Sequence, residues 1–273
     1  MTDPTTTVFP HSIREINDLP DEDKHQIYRT LLPDWLFDRY GITLESARSS
    51  PSITHPILTF RCAKGSRSME ITVKRNASDL DPMMYLNMAD TFNNQLLVLL
   101  VVVNDLDSPR YNIDIDIHGN RTNFGTTTRN RPAEEEAMNA GLAPGQVRKG
   151  LRAFKDSVPI FEQFVRNMGH DMFLIEPLAY HNAIVFERYG FNYLRGRKDM
   201  IEINEQFQPD GELHRKLSES QGNIFRQTDA WRTISGRSWA IHDGILGHPF
   251  TGFQMYKRVG IHAGIETFPN ATW

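Results

Sequence analysis

Most of what this sequence reveals about its architecture lies in residues 172–191, MFLIEPLAYHNAIVFERYGF. The apolar run from Met172 to Ile175 predicts a buried strand, which Pro177 ends. A helical segment then begins at Asn182 and closes at Gly190-Phe191. This order of strand, proline and short helix predicts an α/β domain.

Charge and composition limit the function classes that the chain can belong to. Its 273 residues are 39% hydrophobic and 23% charged, which is ordinary for a soluble globular protein and sufficient for a sizeable core. The net charge of −4 argues against a general nucleic-acid-binding protein, whose surface would be basic. The sequence still allows a local basic patch, formed by Arg148, Lys149, Arg152 and Lys155.

The single cysteine and the apolar runs bear on the compartment. Cys62 cannot form an intramolecular disulfide, suits a reducing compartment, and is expected to be inert because no histidine lies nearby in sequence. Leu96–Val103 is far shorter than the ~20 residues of a membrane helix. The N-terminal MTDPTTTVFPH lacks the features of a signal peptide. We therefore expect a cytoplasmic protein with no membrane partner.

Residues 1–95 are predicted to form an N-terminal part of helices and a hairpin. An irregular arm is expected over residues 1–17, followed by a helix that opens at Asp18-Leu19-Pro20 and carries acidic residues in its first turn. Residues 57–75 predict two strands around a glycine-containing turn. A methionine-rich face predicts a helix over residues 81–91.

Four further segments are predicted to be strands. Leu96–Val103 is rich in valine and is expected to be a central strand. Tyr111–Ile117 alternates isoleucine with polar residues, which is typical of a half-buried strand. Tyr193-Leu194 and Met200–Ile203 indicate two more strands on either side of a Gly-Arg pair.

Two helices are predicted between these strands. One begins at Pro132 with acidic residues in its first turn and stops near Gly141. The other has apolar residues at alternating spacings of four and three, which places them on one helix face. Pro159 either kinks this second helix or begins another one. The apolar residues are Val147, Leu151, Phe154, Val158, Phe161, Val165 and Met168.

The order of elements over residues 96–203, with NAIVFERYGF at 182–191, resembles the GCN5-related N-acetyltransferase superfamily. Members commonly carry Asn, Ala and apolar residues, then an aromatic residue, Glu, a basic residue and Gly-Phe on the helix beside the cofactor. The resemblance implies a splayed mixed sheet that holds acetyl-CoA, or another acyl-CoA, between two parallel strands. It also implies that a primary amine accepts the acyl group.

A phosphate-binding loop would complete a coenzyme A site, because exposed N–H groups at a helix start bind pyrophosphate. The candidate is GQVRKG before the second helix, together with Asn182. The family's usual loop matches neither reading frame here, so an ordinary loop before a helix stays the alternative. The candidate cofactor-binding residues are Gly145, Gln146, Val147, Arg148, Lys149, Gly150 and Asn182.

The resemblance also bears on proton transfer. Many members protonate the departing thiolate with a tyrosine on the Asn-containing helix, but Phe186 occupies that place here. Glu176, at the end of the strand that would line the acceptor side, is the candidate general base, and it would need a raised pKa. The alternative is a strand-end glutamate in contact with solvent or an arginine. A backbone N–H near Leu174–Glu176 would polarise the thioester carbonyl.

Asp114, Asp116 and His118 alternate along the predicted strand at 111–117, so they would project from one face. Three such ligands could begin a metal site or a pocket for a cationic substrate. The alternative is the solvated side of an amphipathic strand, and the sequence identifies no ligands from a second element. We therefore assign no metal site.

These observations predict a single α/β (α+β) domain over residues 1–273, with a mixed, splayed central sheet flanked by helices. An acetyltransferase-like core at 96–203 would lie between the N-terminal part and a C-terminal extension at 204–273. The expected function is acyl-CoA-dependent N-acyl transfer to a small-molecule amine or to a peptide or protein amino group. The alternative is a non-catalytic binding or assembly protein with the same fold. Aromatic residues of the extension would suit a homodimer surface or a lid, or equally a small second core.

Overall fold

The computed structural model of the protein describes residues 9–42, 57–122, 128–151 and 153–273. Within these residues helices flank a mixed sheet, which confirms the predicted α/β fold class. The strands are Leu58–Arg61 (β1), Ser68–Val73 (β2), Met84–Asp90 (β3), Leu96–Val103 (β4), Met172–Ile175 (β5), Asn192–Arg195 (β6) and Gln254–Arg258 (β7). The strand order in the sheet is β1-β2-β3-β4-β5-β7-β6.

The helices differ widely in length, and the longest has 14 residues. Among the described residues no helix is both long and apolar enough to cross a membrane. The α-helices are Ile13–Asp18 (α1), Asp21–Arg29 (α2), Asp34–Arg39 (α3), Arg131–Asn139 (α4), Phe154–Asn167 (α5), Tyr180–Arg188 (α6), Arg197–Phe207 (α7), Glu212–Glu219 (α8) and Ile234–His242 (α9).

The chain divides into two compact units. The first unit contains the described residues of Met1–Asn104, Leu151–Ile175 and Lys257–Ile261. The second unit contains the described residues of Asp105–Gly150, Glu176–Tyr256 and His262–Trp273.

In the first unit, α1 contradicts the irregular arm expected over residues 1–17, whose first eight residues lie outside the described ones. The carboxylate of Asp90 accepts hydrogen bonds from the backbone N–H groups of Ile13 at 2.8 Å and Arg14 at 2.9 Å. These N–H groups have no partner within the helix, so the distant aspartate stabilises its first turn. The helix predicted to follow Pro20 is confirmed as α2.

The hairpin predicted at residues 57–75 is confirmed, since β1 and β2 pair in antiparallel register. The helix predicted at 81–91 is wrong, because this segment forms β3 between β2 and β4. Met84, Leu86 and Met88 are almost fully buried at every second position, which is the period of a strand. Methionine is a good helix former, so sheet pairing overrode the local preference.

The apolar stripe predicted to be one helix from Val147 to Met168 is only partly helical. α5 begins at Phe154, so Val147 and Leu151 precede it. Pro159 lies inside α5, and a single helix runs through it. Phe161, with Phe164 and Val165, forms the buried face of the helix in the first unit.

The second unit contains two corrections to the predicted strands. Met200–Ile203 lies in α7, whose buried residues Met200, Ile203 and Phe207 recur at helical spacing. Tyr111–Ile117 forms turns, because the Asp116 carboxylate accepts hydrogen bonds from the backbone N–H groups two and four residues later. Such side-chain bonds compete with strand pairing. The helix predicted from Pro132 is confirmed as α4.

Candidate functional site

The strands β4 and β5 of the first unit share only a short described pairing. They are parallel and pair only at Leu97 with Leu174 and at Val98 with Ile175. β5 ends at Ile175, whereas β4 continues to Val103. Because the described pairing with β5 stops at Val98, the next residues of β4 form an edge on that side. We call Leu99–Val102 the β4 edge.

A β-bulge lies where this edge begins. On the β3 side, Asn87 pairs with Leu100 while Met88 pairs with Val98, so Leu99 is an extra residue without a β3 partner. Leu99 is 36% exposed, although it lies within an apolar strand. A bulge redirects backbone groups and is common beside functional sites. The β4 edge can therefore offer backbone N–H and C=O groups to an extended ligand.

Glu176, the predicted general base, is exposed and follows β5 directly in the chain. Its carboxylate Oε1 accepts a hydrogen bond from Gln254 Nε2 at 3.4 Å. Neither an arginine nor a lysine takes part in this described contact. The carboxylate is thus free to meet solvent or a substrate amine.

The predicted phosphate-binding loop, Gly145–Gly150, is tied to its own unit by hydrogen bonds. The carbonyl oxygen of Val147 accepts from the backbone N–H of Tyr111 at 2.8 Å. The side chain of Arg148 donates to the carbonyl oxygen of Ser108 at 2.5 Å. Val147 also packs against the apolar cluster around Ile113. Several of the loop's polar groups are therefore engaged within the protein.

The helix predicted to start at Asn182 begins two residues earlier, as α6. Asn182 is half-buried in its first turn, and its backbone N–H donates to the carbonyl oxygen of Ala179 at 3.0 Å. Phe186 is buried, with its ring centroid 5.4 Å from that of Phe191. Packing in the core is a sufficient reason for an aromatic residue at this position, so a role in proton transfer is not needed to explain it.

The metal hypothesis at Asp114, Asp116 and His118 is wrong. Asp114 forms an ion pair with Arg110 at 2.7 Å, and Asp116 caps its own turn. The segment is not one of the described strands, so the alternation in the sequence no longer places the three side chains on one face. Among the described residues, no group of three or more His, Cys, Asp or Glu side chains could hold a metal ion. Cys62 is a free, buried thiol whose pKa is raised by burial.

One buried carboxylate that the sequence analysis did not single out is Glu187, on α6. It is 2% exposed and accepts hydrogen bonds from Tyr193 Oη at 2.5 Å and from Thr267 N at 2.8 Å and Oγ1 at 2.6 Å. Burial raises the pKa of Glu187 despite these hydrogen bonds, which favour the charged form. The two hydrogen bonds from Thr267 hold the segment near the C-terminus against α6.

A second charged network involves α4 and α9. Glu134 accepts hydrogen bonds from Arg129 and His242, and Arg129 also donates to Asp243 at 2.7 Å. Burial opposes ionisation of Glu134, but these partners outweigh it and lower its pKa. Paired charges of this kind are typical of a structural network, so we assign it no chemistry.

An open cleft of about 470 Å³ lies in the second unit, and none of its lining residues is acidic. Its volume falls within the usual range for small-molecule sites. Two arginines line it among aromatic and amide side chains. The lining residues include Asn204, Trp231, Arg232, Arg237 and Phe268.

Arg237, on α9, is fully buried. Its Nε donates to the carbonyl oxygen of Trp231 at 2.7 Å, and its Nη1 donates to Asn204 Oδ1 at 2.8 Å and Tyr180 Oη at 3.3 Å. The guanidinium carbon lies 3.4 Å from the ring centroid of Phe268. Its Nη2 is buried without a hydrogen-bond partner, and burial lowers the pKa of the group.

Arg237 was missed because a single arginine in a sequence carries no sign of its burial. The available signal was its neighbourhood: Ser238, Trp239, Ala240 and Ile241 follow it in a helix that is buried around most of its circumference. A charged residue in such a helix must find buried partners.

Comparisons with protein-family models, with curated proteins and with solved structures found no match. The geometry of the described residues therefore carries the functional argument.

Proposed function

We propose that this protein is an acyl-CoA-dependent N-acyltransferase that acts on a small-molecule amine or on an amino group of a peptide or protein. The observation that carries the proposal is the end of the β4–β5 pairing at Val98, with a bulge at Leu99 on the part of β4 that continues beyond it. The sequence resemblance implies an opening between two parallel strands, and this feature suits that expectation.

The chemistry of an acyl-CoA fits the β4 edge. Its pantetheine arm is an extended chain with two amide groups, so it can pair with a strand edge as a further strand would. A backbone N–H at the bulge could then hydrogen-bond to the thioester oxygen. That bond strengthens as negative charge develops on the oxygen during attack.

In the proposed reaction the amine nitrogen attacks the thioester carbonyl carbon, the carbon–sulfur bond breaks, and coenzyme A leaves as a thiolate. The amine loses one proton, for which Glu176 is the candidate acceptor. The thiolate gains a proton from water, because Phe186 has no proton to donate. Proximity of the two bound reactants supplies the remaining acceleration.

We place the reaction in the cytoplasm, where a reduced thiol such as Cys62 is stable. A second candidate function, non-catalytic binding or assembly, is favoured by two observations. Phe186 is buried in the core, and the Gly145–Gly150 loop uses polar groups within the protein. A measurement of acyl transfer separates the two candidate functions, because only the enzyme would transfer an acyl group.

The first prediction concerns Leu99→Pro, tested against Leu99→Ala. Proline removes the backbone N–H at the bulge, where it is tolerated because Leu99 has no β3 partner. We expect about a 100-fold loss of acyl transfer for Leu99→Pro, whereas Leu99→Ala keeps the N–H and most of the activity. The measurement is release of free coenzyme A from acetyl-CoA with a panel of amines.

Binding of acetyl-CoA to the wild-type protein is measured in parallel by calorimetry. Binding without transfer to any amine would favour the non-catalytic alternative. No binding of acetyl-CoA or longer acyl-CoAs would contradict the acyltransferase proposal and leave assembly as the candidate function. Equal activity of the two Leu99 variants would contradict the role of the bulge.

A further inference from the structure

The cleft beside Arg237 has the properties of an anion-binding site. A buried guanidinium without a charged partner is costly, because burial removes its hydration. Within the described part of the chain, its hydrogen bonds go to carbonyl, amide and hydroxyl oxygens, not to a carboxylate. Its Nη2 has no acceptor among the described residues. Among the described residues, the two Nη2 hydrogens of Arg237 therefore have no acceptor, and its positive charge has no hydrogen-bonded carboxylate.

The other walls of the cleft add charge and flat apolar surface. Arg232 is exposed, and its guanidinium carbon lies 5.1 Å from the ring centroid of Trp231. Trp231 and Phe268 both line the cleft, and the Phe268 ring lies over the guanidinium of Arg237. Because Nη2 is buried, side chains that line the cleft must shift before an entering oxyanion can reach its hydrogens.

We propose that this cleft binds a small organic oxyanion with a planar apolar body, such as an aromatic carboxylate or a phosphate ester. The oxyanion accepts hydrogen bonds from Nη2 of Arg237, Arg232 supplies a second positive charge at the rim, and the planar body packs against Trp231 and Phe268. Arginine suits this role because its donors match the geometry of carboxylate and phosphate oxygens. This proposal does not depend on the acyl transfer proposed above.

The test uses the full chain and three probes that share a phenyl ring and are similar in size: benzoate, the neutral benzamide and the cationic benzylamine. Phenyl phosphate and inorganic phosphate are added to separate carboxylate from phosphate recognition and to measure the contribution of the ring. Binding is followed by Trp fluorescence and by calorimetry. We expect benzoate or phenyl phosphate to bind at least about tenfold more tightly than benzamide, and benzylamine not to bind.

Three variants locate the site. Arg232→Gln changes an exposed side chain and should fold normally, with binding weakened about three- to tenfold. Arg237→Gln should weaken binding by about tenfold or more. Arg195→Gln, an exposed arginine on β6, is the matched control and should bind as the wild type does.

The comparison of anionic, neutral and cationic probes on the wild-type protein tests the proposal even if Arg237→Gln does not fold. Binding of both benzoate and phenyl phosphate no tighter than that of benzamide, or no binding of either anion at millimolar concentration, would overturn the proposal. Unchanged binding by Arg232→Gln and by a folded Arg237→Gln would overturn it as well.

Discussion

Single buried residues in this protein have ionisation states that their surroundings determine. His181, on α6, is 5% exposed, and its Nδ1 has no hydrogen-bond partner in the part of the chain that the structure describes. Burial lowers the pKa of His181 to about 4, with a smaller contribution from the charge of His242. Near neutral pH His181 is therefore an uncharged core side chain.

This pKa predicts an acid-sensitive contribution to stability. The unfolded chain binds a proton at this histidine with a pKa near 6.5, and the folded chain only near 4. The contribution is therefore present above pH 6.5 and is lost as the pH falls toward 4. A lowering of this size corresponds to about 3 kcal/mol of unfolding free energy.

We expect the difference in unfolding free energy between the wild type and His181→Leu to shrink by about this amount from pH 7 to pH 4. Urea unfolding at several pH values measures the difference. His248→Gln, at an exposed position, is the control and should show no such change. A constant difference for His181→Leu would mean that His181 is not held neutral by burial.

Whole elements here depend on partners that lie far away in sequence. The six-residue α1 is too short to be stable alone, and the Asp90 side chain at the end of β3 satisfies two of its first N–H groups. The same strand was predicted to be a helix, because only its pairing with β2 and β4 reveals its conformation. α6 was predictable, since its apolar spacing and terminal glycine are local.

Removal of the distant cap should destabilise the first unit. We expect Asp90→Ala to lower the unfolding free energy by about 1–3 kcal/mol, because it leaves two N–H groups of α1 without their acceptor. Asp38→Ala, at an exposed position of α3, should change it by less than about 0.5 kcal/mol. Urea unfolding of the two variants checks this, and equal stabilities would show that the cap contributes nothing.

At the scale of the whole molecule, the last residues of the chain contribute to buried groups of the second unit. Thr267 donates two hydrogen bonds to Glu187, and the Phe268 ring covers the guanidinium of Arg237. Ile234 donates a backbone hydrogen bond to Thr272 at 2.8 Å. The sequence suggested an irregular extension over 204–273, but its final segment completes the surroundings of two buried charges.

Deletion of residues 267–273 should therefore destabilise the second unit strongly. Glu187 would lose its Thr267 donors and Arg237 its aromatic cover, and uncompensated buried charges cost about 3–5 kcal/mol. Thermal unfolding should show a lower midpoint, which deletion of the half-exposed Trp273 alone should not reproduce. Equal midpoints for the two deletions would contradict the proposed role of Thr267 and Phe268.

Local patterns in the chain were sufficient for β1, β2, β4, β5, α2, α4 and α6, and for the α/β class. These elements carry their signals within a few residues: alternation, helical spacing, proline and glycine. Local patterns failed at β3 and α7, at the turns of residues 111–117 and at α1, where distant partners or side-chain bonds compete with propensity. The free Nη2 of Arg237 and the bulge at Leu99 arise only when segments far apart in sequence pack together, because burial and strand register are properties of the assembled chain.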